Sequence, residues 1–478
     1  MRLRLISRAL VLAALVAGSV ASATLAAQTT RTAPQPDWAA IDAETLRHFQ
    51  AILRVDSSDP PGREREVVDY LKKVLEAEGI PTQEFALESH RPNLVARLKG
   101  SGAKRPLLLM AHTDTVNVYP ERWTHPPFAA TLADGYVYGR GTVDDKDNVA
   151  TSLMTMLMLK RMNVPLDRDV IFLAEAGEEG STRVGIQYMV NEHFAAIEAE
   201  YCLAEGGSVA RTGGVAKYSQ VQTLEKRPYG IELVARGPAG HGSVPLENSA
   251  VTHLAVAIAA ITKWQPEIRL NETTSAFFKR LADISEGEAA ARYRAVLDPT
   301  KVAEADAWFR KFEPRMAALL RSTLAPNIVA GGNRINVIPS EAIATVDTRL
   351  LPDDDIAKLI EEVRKVVNDP AVEVRQAKRD TRPGGVEARI DSEVFKAIEA
   401  ATLKHYNAPT LPSMSTGATD MAYLRAKGVQ CYGVGPGIDT EDGPKGFGAH
   451  SDQERILVSE LHRFMRAYWD MVVAIAGR

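Results

Sequence analysis

Leu107-Leu108-Leu109-Met110-Ala111-His112-Thr113-Asp114 sets an unbroken apolar run directly against an imidazole and a carboxylate. Apolar residues in succession, without alternation, suit a strand buried on both faces, as in parallel sheets. Leu94-Val95-Ala96 and Val170-Ile171-Phe172-Leu173 have the same texture. Between the runs at 107 and 170, the Met- and Leu-rich stretch from Val149 to Leu159 reads as a helix, its methionines as core. This alternation predicts an α/β fold with a mainly parallel sheet.

Upstream, Leu46, Phe49 and Leu53 share one helical face, and Val67, Leu71 and Leu75 another, before a stop at Gly79. Downstream the texture changes near Thr223. Residues 229–236 alternate as a half-buried strand, Ser249 to Ile261 is an alanine-rich helix, and strand-like runs resume at 335–350 before a helix from Ile356 to Val367. The order predicts a smaller α+β lid or dimerisation domain, residues 223–377, inserted between catalytic parts 38–222 and 378–478. Within it, residues 265–325 are helix-prone and charged, with Trp308, Phe309 and Met316 as apolar anchors. Val429 to Val434 supplies a late strand.

The 478 residues are 45% hydrophobic and 25% charged, the balance of a soluble enzyme, and a net charge of -4 offers nucleic acid no basic surface. Residues 1–27 have the form of a secretory signal peptide. Arg2, Arg4 and Arg8 precede the apolar stretch Ala9 to Val20, and Ala21-Ser22-Ala23 forms a cleavage site. Its removal takes the net charge to about -7. No cysteine follows for lipid attachment, and no later stretch is apolar for long enough to span a bilayer. A secreted or periplasmic protein, free of the membrane after cleavage, is expected. Cys202 and Cys431 sit in apolar runs and read as buried free thiols, which leaves metal binding to His, Asp and Glu.

Acid or histidine clusters follow four strand-like runs. His112 and Asp114 lie beyond the first, where α/β enzymes bind ligands, although a solvated turn is also consistent with that pair. Gly139-Arg140-Gly141-Thr142-Val143-Asp144-Asp145-Lys146 presents carboxylates on a tight turn, which would also cap the next helix. Glu178-Glu179-Gly180 places two acids beyond a buried strand, and Glu205-Gly206-Gly207 repeats the design; exposed acidic loops are the alternative. Gly448-Ala449-His450-Ser451-Asp452 is read as opening a C-terminal helix. Gathered together, His112, Asp144, Glu179, Glu205 and His450 supply two imidazoles and three carboxylates. That donor set suits two Zn²⁺ ions per subunit, with Co²⁺ or Mn²⁺ as substitutes.

The ordered set resembles the M20 metallopeptidases (M20/M25/M40), which include glutamate carboxypeptidase, aminoacylase and succinyl-diaminopimelate desuccinylase. The match spans roughly residues 45 to 475. By that resemblance, His112 and Glu205 would hold one zinc, Glu179 and His450 the other, and Asp144 would bridge them. Glu178 would be the general base, Asp114 would orient His112, and a cis peptide is expected after Asp144. Glu205 leaves the subfamily open, because that acid is Asp in many peptidases and Glu in several acyl-amino-acid hydrolases. Gly240-His241-Gly242-Ser243 resembles the segment whose histidine reaches the substrate carbonyl across a dimer. Asn336 in Asn333-Arg334-Ile335-Asn336 and Arg349 in Asp347-Thr348-Arg349 resemble the carbonyl and carboxylate contacts, and Gly417 a pocket-lining glycine loop. The segment 265–325 resembles the enlarged lids of carboxypeptidase S-like members.

The resemblance implies a metallo-carboxypeptidase or dipeptidase, dimeric through its lid, acting on a small peptide or an N-acyl amino acid. An aminoacylase-like amidohydrolase on the same site is the alternative. Zinc aminopeptidases of the M28 type share the ligand alphabet but lack the Gly-His-Gly-Ser and Asp-Thr-Arg segments. A non-catalytic periplasmic binding protein would have no use for Glu178.

Overall fold

The computed structural model describes residues 36–379, 381–384 and 386–478. The export segment, residues 1–27, lies outside them. At the centre of a ten-stranded sheet, Val170–Glu175, Leu107–His112, Tyr201–Ala204 and Gln430–Gly433 run parallel side by side. Asn93–Leu98 and Thr82–Phe85 extend one flank antiparallel. Val215–Glu225, Ser208–Thr212 and Gly437–Asp439 extend the other, with Thr410–Ser415 paired parallel to Val215–Glu225. The sheet is mainly parallel, as the apolar runs predict.

The central strand shows why those runs lack alternation. Leu107 and Leu109 point into one core with the helices Trp38–Leu53, Lys146–Arg161, Glu393–Tyr406 and Val458–Ala476. Leu108 and Met110 point into another, under Ile186–Glu192 and Met421–Ala426. Side chains alternate along a strand, so covering both faces demands an apolar residue at every position. Cys202 and Cys431 stand opposite each other in adjacent parallel strands, buried and free.

A second, antiparallel sheet follows the order Thr323–Gly331, Glu341–Leu350, Arg227–Arg236, Val372–Gln376. One face is covered by the helices Ala250–Lys263 and Ile356–Val367. Glu341–Leu350 alternates buried and less buried residues without a break, because only that face packs on a core. Ser249 caps the first of these helices by accepting a hydrogen bond from the Thr252 amide at 3.2 Å.

The helix-prone stretch folds into Glu272–Asp283, Gly287–Ala295, Val302–Phe312 and Pro314–Ala318. These helices rest on the large sheet. Phe277, Phe278, Leu281 and Phe309 share a core with Leu411 and Met414 of the strand Thr410–Ser415. Burying each such side chain contributes about 1.5–3 kcal/mol, enough to hold the helices on that strand.

Candidate active site

Three of the proposed ligands lie at or beyond the carboxyl ends of central strands, one in the turn before a helix and one in a C-terminal loop. His112 ends Leu107–His112, Glu179 follows Val170–Glu175, and Glu205 follows Tyr201–Ala204. Asp144 precedes the helix Lys146–Arg161. His112 Nε2 lies 3.1 Å from Asp144 Oδ1, while His450 Nε2 lies 3.0 Å from Asp144 Oδ2 and 2.9 Å from Glu179 Oε1. Donor atoms of His112, Asp144 and Glu205 all fall within 4.8 Å of one another, as do those of Asp144, Glu179 and His450. Asp144 belongs to both groups, one oxygen toward each imidazole.

Backbone devices hold this cluster. Asp114 Oδ1 accepts from the Glu178 amide at 3.1 Å and Oδ2 from the Glu179 amide at 3.0 Å. His112 Nδ1 faces Asp114 through its carbonyl at 3.1 Å and its carboxylate at 3.5 Å. One residue thus orients both the histidine and the Glu178-Glu179 turn. The Asp144 loop is pinned by a buried ion pair, Arg140 Nη1 to Glu454 Oε2 at 2.6 Å, and by the Val143 amide donating to Glu454 Oε1 at 2.9 Å. Gly141, at φ 89°, makes the turn that feeds Asp144 inward. The Asp144–Asp145 peptide is cis.

Two local expectations need correction. Asp145 occupies the cap position of Lys146–Arg161 but makes no side-chain cap bond. Its carboxylate accepts instead from the His112 amide at 3.2 Å and from Asn148 Nδ2 at 2.6 Å. His450 does not open a helix: Arg455–Leu457 intervenes, paired with Tyr136–Tyr138, and the helix begins at Val458. Pairing with that strand claims the backbone first, and His450 is left in a loop at φ 62°, a left-handed conformation uncommon outside glycine.

Burial dominates the electrostatics. It raises Glu179 to about 7 against the opposing hydrogen bond from His450, and carries Glu205 well above the carboxylate range, with the charge of Glu178 adding. For Asp144 burial is outweighed by the two imidazoles, which hold it low. The same contacts raise His450 to about 10, led by Asp144 and then Glu179. Three carboxylates out of water require positive charge. Divalent cations meet that need, and nitrogen with oxygen donors in two triads sharing Asp144 suit zinc.

Glu178 stands beside this cluster with its side chain 9% exposed and its Oε1 2.9 Å from Arg382 Nη2. Arg382 also reaches Asp420 Oδ1 through Nη1 at 2.7 Å. Burial raises Glu178, and Arg382 works against that rise. The cleft here is lined by Glu178, Glu179, Arg349, Arg379, Arg382 and Ala418. Arg349 faces it while paired with Asp347 at 3.0 Å. Gly417 sits one residue from Ala418, its amide donating to Ser415 Oγ at 3.0 Å. His241 and Asn336 do not join the cluster within one chain. They lie exposed beside a two-stranded ladder, Gly240–His241 with Val337–Ile338. His241 Nδ1 lies 2.7 Å from Ser243 Oγ, and the Asn336 carbonyl accepts from the Gly242 amide at 2.9 Å.

Sequence reasoning passed over Arg379, Arg382 and the role of Asp420. Arg382 lies in Thr381-Arg382-Pro383-Gly384, where no apolar run announces a strand end. Asp420 closes the Gly417 loop, and its fully buried side chain is the signal that a cation must stand opposite.

A sheet with this donor set at its carboxyl edge defines a metal-dependent α/β hydrolase. The model of the peptidase family M20/M25/M40 matches residues 108–474, and the chain belongs to that family. It is 30% identical to "Probable carboxypeptidase S-like 2" of Dictyostelium discoideum over 68% of this chain and 64% of that protein, so it spans a little under two thirds of that relative. Mouse "Aminoacylase-1" is 24% identical over 81% of this chain and 86% of its own. Among solved structures, the M20 family metallo-carboxypeptidase Sso-CP2 of Sulfolobus solfataricus shares the fold, with a TM-score of 0.65 at 21% identity, covering 90% of this chain and 98% of that one.

Proposed function

We propose that this M20 hydrolase is an exported di-zinc enzyme that cleaves an amide bond next to a free carboxylate, as a carboxypeptidase or dipeptidase. The observation that carries the reading is the pair of ligand triads sharing Asp144, with Glu178 beside them and Arg349 in the same cleft. His112 and Glu205 would hold one ion and Glu179 and His450 the other, with Asp144 common to both. Bound there, such ions supply Lewis-acid polarisation and make water more acidic near neutral pH.

The chain's own groups do the rest. Glu178 takes the proton of the attacking water and returns it to the leaving nitrogen. Arg382 stands against its carboxylate and favours the ionised form that can accept a proton. Arg349 holds the substrate carboxylate, since a guanidinium meets it through two parallel hydrogen bonds. His241, exposed and away from its own cluster, would donate to the developing oxyanion from a second copy, with Asn336 near the same carbonyl. The apolar residues Ile328 and Val329 on the edge strand, beside Val251 and Val256 on the helix Ala250–Lys263, give the smaller sheet a face for that homodimer. Residues 1–27 would direct export to the periplasm or beyond. Among the described residues no helix is long and apolar enough to cross a membrane.

A second reading, an N-acyl-amino-acid amidohydrolase on the same site, is favoured by Glu205 and by the aminoacylase similarity. One panel tests both: dipeptides and N-acyl amino acids with added zinc, then with a chelator. Hydrolysis that the chelator abolishes and zinc restores is expected, and the preferred class separates the readings. Turnover indifferent to the chelator would contradict both.

A further inference from the structure

Beside the two ligand triads, a third group of acids gathers around a cation that the chain supplies itself. Carboxylate oxygens of Asp59, Glu64 and Asp114 fall within 4.8 Å of one another. Arg91, its side chain 5% exposed, pairs with two of them: Nη2 lies 2.6 Å from both Asp59 Oδ2 and Glu64 Oε1. Its Nε donates to Glu64 Oε1 at 3.0 Å and Oε2 at 3.1 Å. No side chain separates this knot from the turn that carries Glu178 and Glu179. A Cβ on Gly177 would stand 3.2 Å from Nη2, and one on Gly180 would collide with the Asp59 carboxylate. Asp114, the third acid, accepts the Glu178 and Glu179 amides. Two residues beyond Arg91, Asn93 ties both ends of the same loop. Its Oδ1 accepts from the Ala176 amide at 3.1 Å, and its Nδ2 donates to the Val184 carbonyl at 2.8 Å.

We propose that Arg91 is a positioning residue for the reaction: its guanidinium, locked between Asp59 and Glu64, sets where the turn 177–180 lies and so where Glu178 and Glu179 point. Among the described residues the guanidinium bonds only to Asp59 and Glu64, so it acts through the turn and not on substrate or metal. A planar fork fixes its carboxylates at set angles, which a point charge does not. A buried ion pair is seldom more stabilising than apolar side chains of equal volume; what this one gives is fixed geometry under the catalytic turn. The inference rests on the reading of Glu178 as base and Glu179 as ligand, and adds the group that aims them.

The test is Arg91→Met, assayed at saturating zinc on a substrate from the panel above. It should keep KM within about threefold and lose about 10²-fold in kcat, the scale of a 1 Å misplacement. Arg91→Lys, which restores the charge, should recover part of that loss. In competition with a chelator, one of the two zinc ions should weaken at least about tenfold, as when a group behind a ligand is lost, while the other stays within about threefold. A kcat within about threefold of the wild type overturns the inference. So does equal weakening of both ions, because a general loosening spares neither site. If Arg91→Met does not fold, Arg91→Met with Glu64→Gln removes both buried charges together and is judged by the same two readings. Glu178→Gln, assayed alongside, keeps the failures apart. An inactive Glu178→Gln with an unaffected Arg91→Met sinks this inference alone, whereas an active Glu178→Gln removes the base reading and this inference with it.

Discussion

Glu178 can act as a base only if its carboxylate stays at the cluster, and two contacts keep it there. Asp114 holds its amide at 3.1 Å and Arg382 its side chain at 2.9 Å. Replacing it by Gln keeps size and hydrogen-bonding capacity but removes the proton acceptor. We expect Glu178→Gln to fold, bind zinc as the wild type does, and lose about 10²–10⁴ in kcat. Near-normal turnover in steady-state assays would remove Glu178 from that role. At this scale much of the site was legible, because each ligand sits just past a recognisable strand or glycine turn. Arg382 was not, since its importance comes from Glu178 and Asp420 converging on it from distant parts of the chain. His450 was legible as a residue and misread in place, because the pairing of Arg455 with Tyr138 is non-local.

Between elements, the junction at Lys226 is a sensitive point. It links Val215–Glu225 of the large sheet to Arg227–Arg236 of the small one, and its buried Nζ donates to the Arg321 carbonyl at 2.6 Å. Burial, with Arg349 adding, lowers this amine to about 7. In an unfolded chain a lysine keeps its proton to about pH 10.4. Between those values the unfolded state binds more protons, so stability contributed by this group rises with pH. From pH 7 to pH 9 the wild type should therefore gain stability relative to Lys226→Met, as read from urea midpoints at both values. An equal gap at the two pH values would contradict a neutral buried amine. The elements themselves were largely visible, Ile356–Val367 to the residue, because apolar period follows secondary structure. Where the helices of 272–318 come to rest was not, since Phe277 and Phe309 would suit any apolar partner, and only the fold brings Leu411 and Met414 beneath them.

Over the whole molecule, the large sheet gathers the ligands, and the smaller domain would present His241 to a second copy. Ile328 and Val329 are 62% and 63% exposed on an edge strand, an arrangement that soluble proteins normally cover. Sedimentation should show a dimer, and the double change Ile328→Glu with Val329→Glu should yield folded monomers with activity reduced at least about 10²-fold, the scale of losing one oxyanion donor. Fully active monomers would place the oxyanion donor within one chain. The order of motifs along the sequence was enough to suggest such an enzyme, but distance is a property of the fold. The 3.0–3.1 Å contacts of Asp144 with two histidines more than 300 residues apart could not be read before it.

Counting the bound ions tests that arrangement most directly. Protein stripped of metal, reloaded with zinc and measured by mass spectrometry and anomalous scattering should hold two ions per chain with Asp144 between them, and Asp144→Ala should hold at most one. A single ion in the wild type, or two that leave Asp144 untouched, would contradict the account.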